Sequence, residues 1–149
     1  MNYKKTILKI MIGFLSVFLL YLGIHIYGNH QVIKTYASGF EKNPLDDYVK
    51  TESDLILSVY EAPFFQSYTN LAIHNSEEKI DLIIWVPLYS KDLSYGLVVT
   101  DDKNQISYQI EVNEHLETDE DDYKELLETK QKAINEIKSV AKKEWGFDF

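Results

Sequence analysis

Lys4, Lys5 and Lys9 precede an apolar run from Ile10 to Tyr27 that carries no formal charge. A bilayer core about 30 Å thick needs about 20 apolar residues at a rise of about 1.5 Å each. Ile7 to Tyr27 supplies that length if Lys9 snorkels its ammonium back to the headgroups. The pattern predicts a transmembrane signal-anchor helix over 10–30, with residues 1–9 as a cytoplasmic tail and the remainder extracytoplasmic. Gly13, Ser16 and Gly23 are small residues within the run, while Tyr21, His25 and Tyr27 crowd its far end, where amphipathic rings favour the interface. Lys34 and Lys42 lie beyond it, so the charge bias that orients the span is modest. A cleaved secretory signal is the competing reading. Its apolar region is usually about 7–15 residues, and the only small-x-small candidate here, Ala37 to Gly39, lies well past the run. Both readings export the rest of the chain.

The part beyond the span is near the commonest size for one domain. It has no cysteine, hence no disulfide, thiolate metal site or thiol nucleophile, and its stability must come from packing. All 15 basic residues are lysines, which removes the side chain best suited to bidentate phosphate or carboxylate recognition. Charge is uneven, because no acidic residue occurs before Glu41. Setting aside the three lysines ahead of the span leaves 12 against 24 acids, a net of -12 where the whole chain has -9. That field disfavours nucleic acid and anionic headgroups and favours cations, cationic peptides or a basic protein face. It also keeps an exported domain soluble.

The remaining pattern predicts an α+β fold. Residues 31–44 read as a juxtamembrane stalk, helical as far as Gly39, that holds the acidic domain of residues 45–149 away from the membrane. Asn43-Pro44 can open a helix from about Pro44 to Tyr60, because Leu45, Tyr48, Val49, Glu52, Leu55, Ile56 and Val59 recur at helical spacing. Leu55 to Tyr60 is equally a short apolar run that fits a strand, and Pro63 ends it either way. Period two then takes over. Ile106, Tyr108, Ile110 and Val112 alternate with polar residues, and Tyr95 to Thr100 precedes them across a polar, glycine-free turn. Tyr68 to His74 and Ile80 to Val86 flank Asn75-Ser76-Glu77-Glu78 in the same way. Four antiparallel strands in a meander follow, with Ile80 to Val86 the best candidate for a strand covered on both faces. A long amphipathic helix from about Asp119 to Glu144 closes the domain, capped by Thr118 and stopped by Gly146. Its apolar stripe includes Tyr123, Leu126, Leu127, Ile134, Ile137 and Val140, with Glu128 and Lys132 as an exposed i,i+4 pair. The tail Trp145 to Phe149 is expected to fold back over the sheet or helix end, the alternative being an exposed aromatic anchor for a partner.

Chemistry is sparse. The run Glu111, Glu114, Glu117, Asp119, Glu120, Asp121 and Asp122 could hold calcium, but it lacks the alternating ligands and central glycine of an EF-hand loop. Strand alternation and helix capping account for most of these acids. His25, His30, His74 and His115 share no ligand spacing, and no nucleophile elbow supports a Ser-His-Asp arrangement. No catalytic, cofactor or metal residue is assigned. The leading expectation is a non-enzymatic, membrane-anchored binding or accessory domain with a protein or cationic-peptide partner, including protection against such a peptide. The alternatives are a small envelope hydrolase using a carboxylate with His74 or His115, which needs a concave site, and a structural role in which Gly13, Ser16 and Gly23 engage another span.

Overall fold

The computed structural model describes residues 3–45 and 47–149, with the backbone alone at 4 and 5. The positive tail's Lys4 and Lys5 side chains therefore lie outside the described part. The elements are α1 (Tyr3–Tyr36), β1 (Glu41–Lys42), β2 (Tyr48–Glu52), β3 (Leu55–Val59), β4 (Tyr68–Asn75), β5 (Ile80–Pro87), β6 (Ser94–Asp101), β7 (Ile106–Val112), α2 (Asp121–Thr129) and α3 (Gln131–Trp145). The strands form one antiparallel sheet in the order of the chain, β1 to β7.

The four expected strands are present as β4 to β7, within a residue or two of the expected bounds. The sheet nevertheless has seven strands: the helix expected over 44–60 is instead the hairpin of β2 and β3, and the end of the expected stalk supplies β1. Its apolar residues satisfy either period, and burial decides between them: Leu55, Leu57 and Val59 are fully buried while Ile56 between them is exposed. Ser53, at a φ of 55°, takes the left-handed conformation that closes the tight turn between Glu52 and Leu55. Asn43 caps no helix. Its Oδ1 accepts the backbone N–H groups of Leu45 and Asp47 and so closes the β1–β2 loop.

The two later hairpins share a device that replaces glycine. Asn75 Oδ1 accepts the Glu78 N–H, and Asp101 Oδ1 accepts the Lys103 N–H. Each loop then ends on a residue of positive φ, Lys79 or Gln105. These side-chain bonds hold the turn where the backbone alone would favour glycine.

Across the sheet, Leu57, Ile73, Leu82, Leu97 and Ile110 stand in one register row, all fully buried. Each such side chain contributes about 1.5–3 kcal/mol on leaving water. The helices cover this face only. β5 is thus buried on one face and half-buried on the other, in contrast to the strand covered on both faces that its sequence suggested.

The long helix expected over 119–144 is two. Thr118 Oγ1 accepts the Glu120 N–H, so the helix begins only at Asp121. Thr129 Oγ1 donates to the Leu126 carbonyl, and Lys130 leaves the helical conformation at φ -102°, ψ 8°. The break swings Lys130 onto the sheet end, where its Nζ, almost wholly enclosed, reaches Asp102 at 3.2 Å and Glu78 at 3.9 Å. It also separates Glu128 from Lys132. α3 buries Ala133, Ile134, Ile137, Ala141 and Trp145 on the core and ends as expected at Gly146, in the left-handed conformation, with Lys142 and Lys143 in its last turn.

α1 joins the domain along its second half. From Ile7 to Leu20 its large apolar side chains are exposed, whereas Val32 and Ala37 belong to the core. The segment expected as a spacer is therefore packed: Trp145 donates its indole N–H to the Tyr36 carbonyl at 3.0 Å, and Phe147 stacks on Tyr36 at 5.7 Å. The C-terminal tail folds back as expected, its Phe149 ring meeting Tyr95 at 5.6 Å.

Candidate functional site

Two surfaces of this fold are unusual, and both follow from what the helices leave uncovered. The first is the sheet face opposite the core. Ser58, Ala72, Ile83, Gly96 and Glu111 form one row across it, and Ile56, His74, Asp81, Val98 and Gln109 the next. The outer edge of the Trp85 indole packs over Gly96, where a Cβ would sit 2.6 Å from Trp85 Cη2. Asn70, opposite Trp85 in register, keeps its Oδ1 buried with no hydrogen-bond partner among the described residues. Beside the indole is a shallow depression of about 420 Å³ lined by Trp85, Ser94, Gln109, Glu111 and Glu120.

Its two carboxylates, Glu111 and Glu120, belong to the acids of this chain that have no lysine against them among the described residues, unlike those held in ion pairs. Lys79 and Lys130 are engaged with Asp102, Lys124 with Asp121, Lys142 with Asp148, and Lys143 with Glu52. These lysines hold the carboxyls of Asp102, Asp121, Asp148 and Glu52 below the usual carboxylate range, chiefly by hydrogen bonding. Among the described residues, no lysine pairs with Glu111 or Glu120.

His74 lies on the same face. Its Nδ1 is 3.3 Å from Asp81 Oδ1, its cross-strand neighbour, and its Nε2 is 3.4 Å from the Tyr60 hydroxyl. The line Asp81-His74-Tyr60 has the connectivity of an acid-base relay, but His74 and Asp81 are each about a third exposed on a flat face with no wall to exclude water. His115 sits on the loop after β7, exposed, 3.8 Å from Glu114. It borders an open depression with Glu111, Glu114 and Tyr95, whose hydroxyl burial, aided by Glu114, pushes above its usual value. The acids of 111–122 are spread over a strand, a loop and a helix start, and among the described residues no three His, Asp or Glu side chains gather as metal ligands.

The second surface is where α1 meets the β3–β4 and β5–β6 loops. Tyr21, His25 and Asn29 share one helix face at i, i+4 and i+8. Tyr21 donates to the Phe64 carbonyl at 2.9 Å, and Asn29 both donates to the Ala62 carbonyl and accepts the Ala62 N–H. His25, 4% exposed, places Nε2 at 3.2 Å from the Ala62 carbonyl and Nδ1 at 3.4 Å from the Tyr89 hydroxyl. Nε2 also lies 3.3 Å from Asn29 Nδ2, so this nitrogen faces both an acceptor and a donor. Gly28 lets the helix approach the second loop; a Cβ there would stand 3.0 Å from Leu88 Cβ. Sequence reading placed Tyr21 and His25 at a membrane interface as amphipathic rings and passed over Asn29. The signal was the polar stripe 21, 25, 29 on one side of an otherwise apolar helix.

Compared with protein-family models, curated proteins and solved structures, the chain finds no match in any of the three. Among the described residues one helix, Thr6–Tyr36, is long and apolar enough to cross a membrane.

Proposed function

We propose that this is a membrane-anchored accessory domain that binds a cationic segment of a peptide or protein on its uncovered sheet face. α1 is the anchor. Lys4, Lys5 and Lys9 keep the N-terminus cytoplasmic and the sheet extracytoplasmic, following the positive-inside tendency. The observation that carries the binding reading is Trp85 lying over Gly96 beside the unpaired Glu111 and Glu120. An indole face with adjacent carboxylates suits a lysine- or arginine-bearing ligand, through ring-cation attraction and charge complementarity. The net of -12 beyond the span steers such a ligand towards the domain. The flat setting of His74 and Asp81 favours this reading over an envelope hydrolase, whose chemistry needs an enclosed site.

The test is titration of the full chain in phosphatidylcholine nanodiscs with an amphipathic lysine-rich peptide, read by calorimetry and compared with empty nanodiscs. Binding should weaken steeply with salt. It should fall roughly tenfold in Trp85→Leu and in the pair Glu111→Gln with Glu120→Gln, a loss of about 1.4 kcal/mol. Equal binding by all three proteins, or equal binding of a glutamate-rich peptide, would overturn the assignment.

A further inference from the structure

The β3–β4 loop carries the most conspicuous apolar exposure outside α1. Pro63 to Gln66 form a tight turn closed by the Gln66 N–H on the Pro63 carbonyl, so Phe64 and Phe65 occupy its tip. Their rings meet edge to face at 4.8 Å. Phe64 is anchored against α1, its ring 5.9 Å from Phe18, 5.8 Å from Tyr21 and 5.7 Å from His25. Phe65 is 89% exposed. A phenylalanine presented to water at a turn tip forgoes about 1.5–3 kcal/mol of burial, and nothing in the fold's own packing requires it there.

The height of this turn along α1 identifies what covers it. From Ile7, where the spanning length begins, to Tyr21 the helix rises about 21 Å. A hydrocarbon core is about 30 Å thick. The latch residues Tyr21, His25 and Asn29 fix the turn at the level of Phe18 to Tyr21. If α1 spans the bilayer, Phe64 and Phe65 therefore lie within the outer half of the hydrocarbon core. The exposed rings are continuous with the exposed stripe of Phe14 and Phe18 on the helix. Beside them the β5–β6 loop brings Tyr89, half exposed, whose ring and hydroxyl suit the headgroup level.

We propose that the Pro63–Gln66 turn is a second membrane-insertion point, burying Phe64 and Phe65 in the outer leaflet of the bilayer that α1 crosses and laying the loop end of the sheet against the lipid. The ligand is the phospholipid leaflet itself, met by uncharged rings that the acidic character of the domain does not repel. The domain then has a fixed pose, with its strands rising from the membrane and the β6–β7 turn at the far end, about 25 Å away along eight-residue strands. This inference rests on the reading of α1 as a span.

The absence of cysteine makes the test direct. Single variants Phe65→Cys, Ile12→Cys and Lys103→Cys of the full chain are spin-labelled in phosphatidylcholine nanodiscs. Collision with oxygen, which concentrates in lipid, is compared with collision with a water-soluble nickel chelate. Phe65 should resemble Ile12, with oxygen dominating, and Lys103 should show the reverse. If Ile12 is immersed and Phe65 is accessible to nickel, the insertion inference is overturned while the span stands. A Phe65 label shielded from both reagents indicates a protein contact and overturns it equally. If Ile12 itself is accessible to nickel, the span reading fails and the inference with it.

Discussion

Asn29 holds Ala62 by both edges of its peptide: its Oδ1 accepts the Ala62 N–H at 2.9 Å and its Nδ2 donates to the Ala62 carbonyl at 3.0 Å. One side chain thereby completes for this loop residue the pairing that a neighbouring strand would otherwise provide. Ala62 is buried, so an unpaired N–H there has no water to turn to.

Replacing Asn29 with Ala should destabilise the docked loop by about 1–3 kcal/mol, the penalty for an unsatisfied buried backbone group. Amide exchange in detergent micelles checks this. Protection at residue 62 should fall sharply while that of Leu82 and Leu97 in the sheet centre is unchanged. Equal loss at all three sites would mean that the latch is part of the global fold.

Removing Trp145 to Phe149 should lower the melting temperature, because Trp145 is nine-tenths buried and bonds Tyr36. Trp145→Ala alone should cost about 3–5 kcal/mol. Trp145→Phe, which keeps the ring but leaves the Tyr36 carbonyl without its donor, should cost about 1 kcal/mol. An unchanged melting temperature on deletion would assign the tail to an outside partner.

Gly96→Ala should dislodge the Trp85 indole with little effect on the core, since the clash falls on the outer edge of a side chain that can swing away. The expected cost is about 1 kcal/mol, at the mild end of overpacking. A change in near-ultraviolet circular dichroism at tryptophan wavelengths, with the melting temperature nearly kept, would verify it. Collapse of the fold would show that Trp85 cannot move.

Acid should weaken the bond between the α2–α3 junction and the sheet end. Lys79 and Lys130 lower the Asp102 carboxyl in the folded protein, chiefly through their hydrogen bonds. A lowered folded value means that the contribution is fully present above the ordinary carboxylate value of about 4 and is lost as pH falls through the folded one. The fall in melting temperature between pH 7 and pH 3 should therefore be smaller in Asp102→Asn than in the parent. The same fall in both proteins would show that Asp102 contributes nothing to acid sensitivity.

The legible parts of this chain were those in which one local signal had no competitor. Ile106 to Val112 alternates without interruption, and Gly146 follows two lysines at a helix end; both stand where the pattern put them. The β2–β3 hairpin was misread because Tyr48, Val49, Leu55, Ile56 and Val59 fit either period, and a Ser53-Asp54 turn carries no glycine to declare itself. The break at Lys130 was hard to read because Thr129 and Lys130 are both tolerated inside helices, and the contact with Asp102 that the break permits joins a distant hairpin. The candidate binding face had the same difficulty. Trp85, Gly96 and Glu111 are strand neighbours only once the register is known, and each taken alone reads as ordinary strand composition.

The contact between Tyr36 and Trp145 also sets a timetable. Each strand pairs with the one made just before it, so the sheet can assemble in step with synthesis. Its apolar face, however, has no lid until α3 is complete, and Tyr36 gains its Trp145 partner only then. During synthesis the sheet is thus half-covered until the helix that follows it in the chain arrives.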